Sequence, residues 1–210
     1  MKPTGNKLGG KTPAPAKGPI KPNRLRIIGG AWRGRLIEAP ADDTIRPTSD
    51  RVRESLFNRL MHGAAGTDFV LSGARVADVF AGTGAMGLEA LSCGAAHATF
   101  IERDMGAHAL IRRNVATLGA EDRASLMSAD ATNLPRAALA HDLALLDPPY
   151  KEGLLAPAML SLARQGWLKP GALVSAEMDA GTPAPEVVGF RLLDRREAGR
   201  IAVALYQFQS

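Results

Sequence analysis

The stretch LALLDPPY, residues 143–150, runs four apolar residues into a carboxylate, two prolines and an aromatic ring. Four such apolar residues read as a buried strand, and Asp147-Pro148-Pro149-Tyr150 reads as a rigid ledge at its end. A ledge of this composition suits methyl transfer to an exocyclic amino nitrogen. The lone pair of that nitrogen is delocalised into its ring, so it attacks poorly until hydrogen bonds draw its N–H groups out of the plane. Asp147 Oδ and the Pro148 carbonyl can accept those two hydrogens, and the prolines, with φ near about −65°, hold the carbonyl in place. Tyr150 can stack on a base that has left its helix. Catalysis of this kind is alignment, with no covalent enzyme intermediate. Asp-Pro also occurs as a plain strand cap and turn, so the reading depends on what lies upstream.

Upstream lies DVFAGTGAMGLEAL, residues 78–91, with Gly82, Gly84 and Gly87 in G-x-G-x-x-G spacing between a strand and a helix. Glycines there let the backbone turn tightly and approach a ligand beside the unpaired amides of a helix N-terminus. Glu102 ends the next strand, 20 residues after Gly82, where a carboxylate can accept hydrogen bonds from ribose hydroxyls. That fingerprint alone fits NAD equally well. Asp78 discriminates, because a pyrophosphate has no use for an acid at that strand end whereas a cationic amino-acid moiety does. S-adenosylmethionine carries both that moiety and a ribose, and is the expected cofactor. Phe80 and Thr83 of the loop, Arg103 beside Glu102, and Asp130 with Ala131 after a later strand complete the expected cofactor contacts. Asp130 is placed to meet the adenine amino group, with a plain loop residue as the alternative.

The 210 residues fit one globular domain with an appendage, and no apolar run reaches the length of a membrane span. The N-terminus is basic without the apolar core of a secretory signal, which predicts a cytoplasmic protein. Cys93 is the only cysteine, and the four histidines show no ligand spacing, so neither a disulfide framework nor a metal site is expected. The charge is lopsided. Residues 1–60 hold 13 Lys or Arg against 5 Asp or Glu, while residues 61–210 hold 13 against 16. A basic front on a near-neutral body predicts a polyanionic partner, most simply nucleic acid.

Three parts are expected: a disordered basic tail over 1–23, an N-terminal hairpin and helix over 24–62 that binds RNA, and a catalytic domain over 63–210. RLRIIGGAWRGRLIEAP reads as a β-hairpin about Gly29-Gly30, with Arg26, Arg33 and Arg35 projecting. A helix follows, started by Thr48, Ser49 or Asp50, with Val52, Leu56, Phe57 and Leu60 on one apolar stripe and Arg51 and Arg53 on the remaining face. Strands are predicted over 75–80, 97–102, 124–129, 142–147, 172–177 (after a Pro170-Gly171 turn), 190–196 and 201–208. Helices are predicted over 85–93, 105–118 and 152–165. The sum is an α/β fold: a seven-stranded, doubly wound, mostly parallel sheet whose last strand is antiparallel.

Taken together, RIIGGAWRGR, RPTSDRVRESLFN, DVFAGTGAMGLEALSCGA, IERD and DPPY resemble the RsmD family, bacterial methyltransferases of a guanine N2 amino group in 16S ribosomal RNA. The likeness runs from about Leu25 to Gln207. It implies a class I, Rossmann-like methyltransferase fold, S-adenosylmethionine as donor, and 16S ribosomal RNA in the small subunit or a late assembly particle as acceptor. It further implies that Arg26, Arg33, Arg35, Arg46, Thr48, Arg51 and Arg53 face the substrate, gripping phosphates without reading sequence. Arg46, held extended by Pro47, would reach the active-site mouth. A solvated face is the plain alternative for these arginines, and Trp32 is expected to pack on the domain rather than stack on a base. The rival readings are an amino-methyltransferase acting on adenine, DNA or a protein glutamine, and a non-catalytic ribosome assembly factor. No dedicated assembly element is visible, which favours a monomer.

Overall fold

A computed structural model of the chain describes residues 23–40, 50–63, 66–149 and 153–209. The predicted tail, apart from Asn23, lies outside the described residues, as do Arg46, Thr48 and Tyr150.

Alternating apolar strands and amphipathic helices build a seven-stranded sheet from β3 (Arg75–Val79), β4 (His97–Glu102), β5 (Ala124–Ser128), β6 (His141–Leu146), β7 (Leu168–Asp179), β8 (Phe190–Ala198) and β9 (Ile201–Phe208). Its order is β5-β4-β3-β6-β7-β9-β8. The pairs among β5, β4, β3, β6 and β7 are parallel, and β9 is antiparallel to both β7 and β8. The last strand thus slots between its two predecessors and runs against every other strand, as the sequence predicts. The chain order reverses direction between β3 and β6, so their carboxyl ends flank a crevice, the place where open α/β sheets bind ligands.

Alternation along each strand assigns the two faces. Val76, Leu143, Leu145, Leu173, Val203 and Leu205 pack under α1 (Asp50–Met61), α2 (Ala85–Ser92) and α3 (Met105–Leu118). Ala77, Val79, Ala144, Leu146, Val174 and Ala176 pack under α4 (Leu155–Arg164). The central strands are covered on both sides, which is why they read as unbroken apolar runs.

The structure corrects two element readings. Pro170-Gly171 lies inside β7 rather than before it, at a register break where His141 pairs with Leu168 but Leu143 pairs with Leu173. Gly171, with φ near 79°, supplies the conformation that absorbs the extra residues. The hairpin is also looser than expected. Its strands are only β1 (Asn23–Arg26) and β2 (Leu36–Ala39), joined by residues 27–35, which contain a 3-10 turn over Gly30–Trp32. Gly29-Gly30 makes no tight turn because α2 holds this loop. The buried Glu89 carboxylate accepts the N–H groups of Ile28 and Gly29 at 3.0 and 2.5 Å, and Ser92 Oγ accepts from Trp32 N–H while donating to the Gly29 carbonyl. A Cβ on Gly30 would stand 1.9 Å from the Ser92 carbonyl oxygen, so only glycine fits. Trp32 packs on the core as expected, with the Arg123 guanidinium 5.0 Å above its ring.

Candidate active site

β3 ends at Val79, and the chain turns through Phe80, a non-glycine at φ 62°, into Gly82 and Gly84 at φ 51° and 77°. The left-handed Phe80 is strain tolerated because neighbours fix the turn. Ala81 N–H donates to the Ile101 carbonyl at 3.1 Å and Gly84 N–H to the Ala81 carbonyl at 2.7 Å. Gly87 sits on α2, where a Cβ would meet Phe100 Cε1 at 2.4 Å and Asp78 Oδ2 at 3.0 Å. Gly82 and Gly84 therefore fall between β3 and α2, with Gly84 capping the helix and Gly87 inside its first turn.

Asp78 is almost fully buried, and its Oδ2 accepts the Gly87 N–H at 2.8 Å. Burial lifts its carboxyl to about 7; the Gly87 N–H opposes this and the nearby Glu102 charge adds to it. Glu102 ends β4 with Oε2 accepting from Gly82 N–H at 3.0 Å and Oε1 accepting from Arg103 and Asp104 N–H at 2.7 and 2.9 Å. These use three of roughly four acceptor positions of a carboxylate and fix it, half-exposed, beside the loop. Asp130 is exposed after β5, accepting from Thr132 N–H and Oγ1, each at 2.8 Å, and those bonds lower its carboxyl below the ordinary range. Thr83 and Ala131 are buried and Arg103 is exposed.

Asp147 follows β6, its N–H donating to the Val79 carbonyl at 3.4 Å, which seats the ledge beside the glycine-loop strand. Pro148 is buried and Pro149 exposed. One cleft is lined by Asp78, Met86, Asp147, Ser175 and Glu177, with Val52 and Leu56 of α1 forming its apolar wall. The structure thus brings the glycine loop and the ledge to one crevice, and adds the β7 side chains Ser175 and Glu177, which no sequence motif singled out. Their signal was a polar residue at alternate positions of an otherwise apolar central strand.

The arginines divide. Arg24, Arg26, Arg33, Arg35 and Arg51 are exposed. Arg53 is a correction: it is 1% exposed, not on the open face of α1. Its Nη2 donates to Asp50 Oδ1 at 2.7 Å and to the Arg26 carbonyl at 3.0 Å, so it bonds α1 to β1. The helical period explains this, since 53, 56, 57 and 60 fall on the same stripe. Arg35 donates to the carbonyls of Thr117 and Leu118, closing the C-terminus of α3. Arg33 and Arg35 stand in the loop that grips the C-terminal turn of α2, the far end of that helix from Gly84.

Asn114, fully buried on α3, links the hairpin to the loop. Its Oδ1 accepts Glu38 N–H at 2.8 Å, and its Nδ2 donates to the carbonyls of Glu38 and Thr83 at 3.0 and 2.9 Å. Asn114→Ala is expected to cost about 2–3 kcal/mol in urea denaturation, the size of stranding several part-buried partners. A change under about 0.5 kcal/mol would show that the link is dispensable.

Among the described residues no helix is long and apolar enough to cross a membrane, and no group of three or more side chains could hold a metal ion.

The model of the family described as "Conserved hypothetical protein 95" matches residues 25–207. Ribosomal RNA small subunit methyltransferase D of Escherichia coli is 40% identical over 193 residues, covering 89% of this chain and 94% of that protein. Its Haemophilus influenzae namesake is 34% identical, covering 90% and 96%. A solved Escherichia coli structure superposes with a TM-score of 0.75 at 36% identity, covering 89% of this chain and 99% of that one. Glycine loop, ledge, sheet order and these likenesses over nearly the whole folded chain agree: the protein belongs to the RsmD family of methyltransferases and has the class I methyltransferase fold.

Proposed function

We propose that the protein transfers a methyl group from S-adenosylmethionine to the N2 amino group of a guanine in 16S ribosomal RNA, within the small subunit or a late assembly particle. The observation that carries the reading is the seating of Asp147-Pro148 beside the glycine-loop strand, in a chain 40% identical to a ribosomal RNA small subunit methyltransferase.

The residues present fit the cofactor. Gly82 and Gly84, both at positive φ, turn bare backbone past the end of β3, and the buried Asp78 carboxyl, poised near neutrality beside that turn, suits a cationic amino group. Asp78, Phe80, Gly82, Thr83, Gly84 and Gly87 would hold the amino-acid end, Glu102 and Arg103 the ribose, and Asp130 and Ala131 the adenine. When bound, S-adenosylmethionine supplies an electrophilic methyl group on a sulfonium.

The chain's own residues do the rest. Asp147 Oδ and the Pro148 carbonyl accept the two amino hydrogens, concentrating electron density on nitrogen and holding it in line. Asp147 would also take the proton the nitrogen must shed. Leu56, Val52 and Val203 wall the cleft with apolar surface, which strengthens these hydrogen bonds by keeping water out. Arg24, Arg26, Arg33 and Arg51, with Arg46 and Thr48, would grip RNA phosphates, making residues 24–62 the RNA-binding part and 63–210 the catalytic domain. Arg35 and Arg53 act on the RNA indirectly, by fixing the hairpin to α3 and to α1. An RNA acceptor of this kind puts the work in the cytoplasm.

The test offers labelled S-adenosylmethionine with small subunits from a strain lacking the enzyme, beside naked 16S RNA, followed by nucleoside analysis. Label in N2-methylguanosine is the expected result. Label in another nucleoside, or none with the cofactor bound, would reject the reading.

The Asp78 carboxyl gives a pH prediction. Its folded value, about 7, lies above the ordinary carboxylate range, so between those values the folded state holds the proton more tightly than the unfolded chain. The associated stability is fully present only below the unfolded carboxyl's ordinary value of 3.8 and is lost as pH rises from there through about 7. The wild type should therefore lose about 2–3 kcal/mol relative to Asp78→Asn between pH 5 and pH 8 in urea denaturation. A difference that does not change with pH would show that Asp78 is ionised throughout.

A further inference from the structure

Ser175 and Glu177 are the side chains of the cleft that this mechanism leaves without a task. They lie on β7, in the middle of the sheet, where neighbours Leu173, Val174 and Ala176 are wholly buried. Ser175 is 3% and Glu177 6% exposed, so the fold places a hydroxyl and a carboxyl group in an otherwise apolar strand. In the parallel register Leu145 stands opposite Ser175 and Leu146 opposite Ala176. The next residues of the two chains are Asp147 and Glu177. Alternation puts both on the α1 face of the sheet, and both line the cleft together with Leu56 and Val203. Adjacent strands lie about 4.8 Å apart, so two acceptors are presented side by side at roughly the width of one base edge.

We infer that Glu177 reads the base: its carboxylate accepts the N1–H of the guanine whose amino group Asp147 activates, and so selects guanine over adenine. The inference rests on the function proposed above. Guanine offers N1–H and the amino hydrogens as adjacent donors on one edge. Three acceptors would meet them: the carboxylates of Glu177 and Asp147, which line one cleft, and the Pro148 carbonyl next to Asp147 in the chain. Adenine places a lone pair at N1 beside its amino group. A buried carboxylate facing that lone pair would be left without a hydrogen and repelled, so the same residue that welcomes guanine rejects adenine. Ser175, two residues earlier on the same face, extends the polar floor. The ledge alone serves any amino-bearing base, and Glu177 supplies the discrimination that it lacks.

The experiment uses small subunits reconstituted with 16S RNA carrying either guanine or 2-aminopurine at the methylated position. 2-Aminopurine keeps the amino group but has a lone pair at N1. Wild-type kcat/KM should be about 100-fold lower on 2-aminopurine than on guanine. Glu177→Gln, nearly isosteric and able to donate a hydrogen, should lose at least about tenfold on guanine and close or invert that gap, with cofactor affinity and melting temperature unchanged. An equal fall on both substrates, no loss on guanine, or weakened cofactor binding would each overturn the assignment. If the wild type fails to methylate guanine N2 at all, the proposed function is what falls, whatever Glu177 does.

Discussion

Asp147→Ala is expected to lower kcat about 1,000-fold while leaving the dissociation constant for S-adenosylmethionine within about twofold. The asymmetry follows from where the side chain sits. Asp147 lies past the end of β6, on the ledge, whereas the groups assigned to the cofactor lie on the glycine loop and at the ends of β3, β4 and β5. The loss should be in turnover because the amino hydrogens need their acceptor most when positive charge builds on nitrogen, an interaction stronger in the transition state than in the ground state. Asn at this position keeps an acceptor oxygen but neither the charge nor the basicity, and should recover only part of the rate. Single-turnover methylation with calorimetry on the same preparations checks both halves. A matching loss of rate and of cofactor affinity would move Asp147 from the acceptor to the cofactor.

The second large effect is expected at Gly87. On an exposed helix Gly→Ala gains about 1 kcal/mol from backbone entropy. At Gly87 sterics win. The added methyl would lie 2.4 Å from Phe100 Cε1 and 2.9 Å from Cζ, and Phe100, fully buried, has nowhere to go. The same methyl crowds Asp78 Oδ2 at 3.0 Å, displacing the carboxylate from the Gly87 N–H it accepts. Gly87→Ala should cost about 3 kcal/mol of stability and weaken cofactor binding at least about 100-fold, because relief requires α2 to shift away from the loop. Urea denaturation and calorimetry measure both. Stability equal to or above that of the wild type would show that Phe100 repacks freely.

The same geometry explains why Glu89 matters to a site it does not touch. Burial raises its carboxyl above the ordinary range, while the N–H groups of Ile28 and Gly29 and the Arg53 charge pull it back. A mid-helix glutamate thus holds the hairpin loop, and Asn114 ties the hairpin's other end to Thr83 of the glycine loop. The hairpin, α2 and the glycine loop are joined through two buried polar residues.

The sequence by itself determined every long strand and helix of the sheet, because each carries a short-range signal: an apolar run, a 3.6-residue period or a glycine at a turn. It likewise placed Asp147 and Glu102 at strand ends and Gly82, Gly84 and Gly87 between a strand and the start of a helix, since their spacing within a strand-turn-helix unit leaves them nowhere else to fall. Their place at the switch point of a doubly wound sheet also predicted that the ledge strand lies beside the glycine-loop strand, as β6 does beside β3. Tertiary structure alone brought Ser175 and Glu177 of β7 next to the ledge and turned Arg53 inward, where a lone arginine in a helix pattern reads as a surface charge. It also replaced the expected tight hairpin by a loop held on α2, since a buried carboxylate 60 residues away supplies the hydrogen bonds that a two-residue turn would have made for itself. Contacts at that separation leave no trace in local composition. They depend on loop closures and buried hydrogen bonds whose partners are chosen only when the sheet assembles.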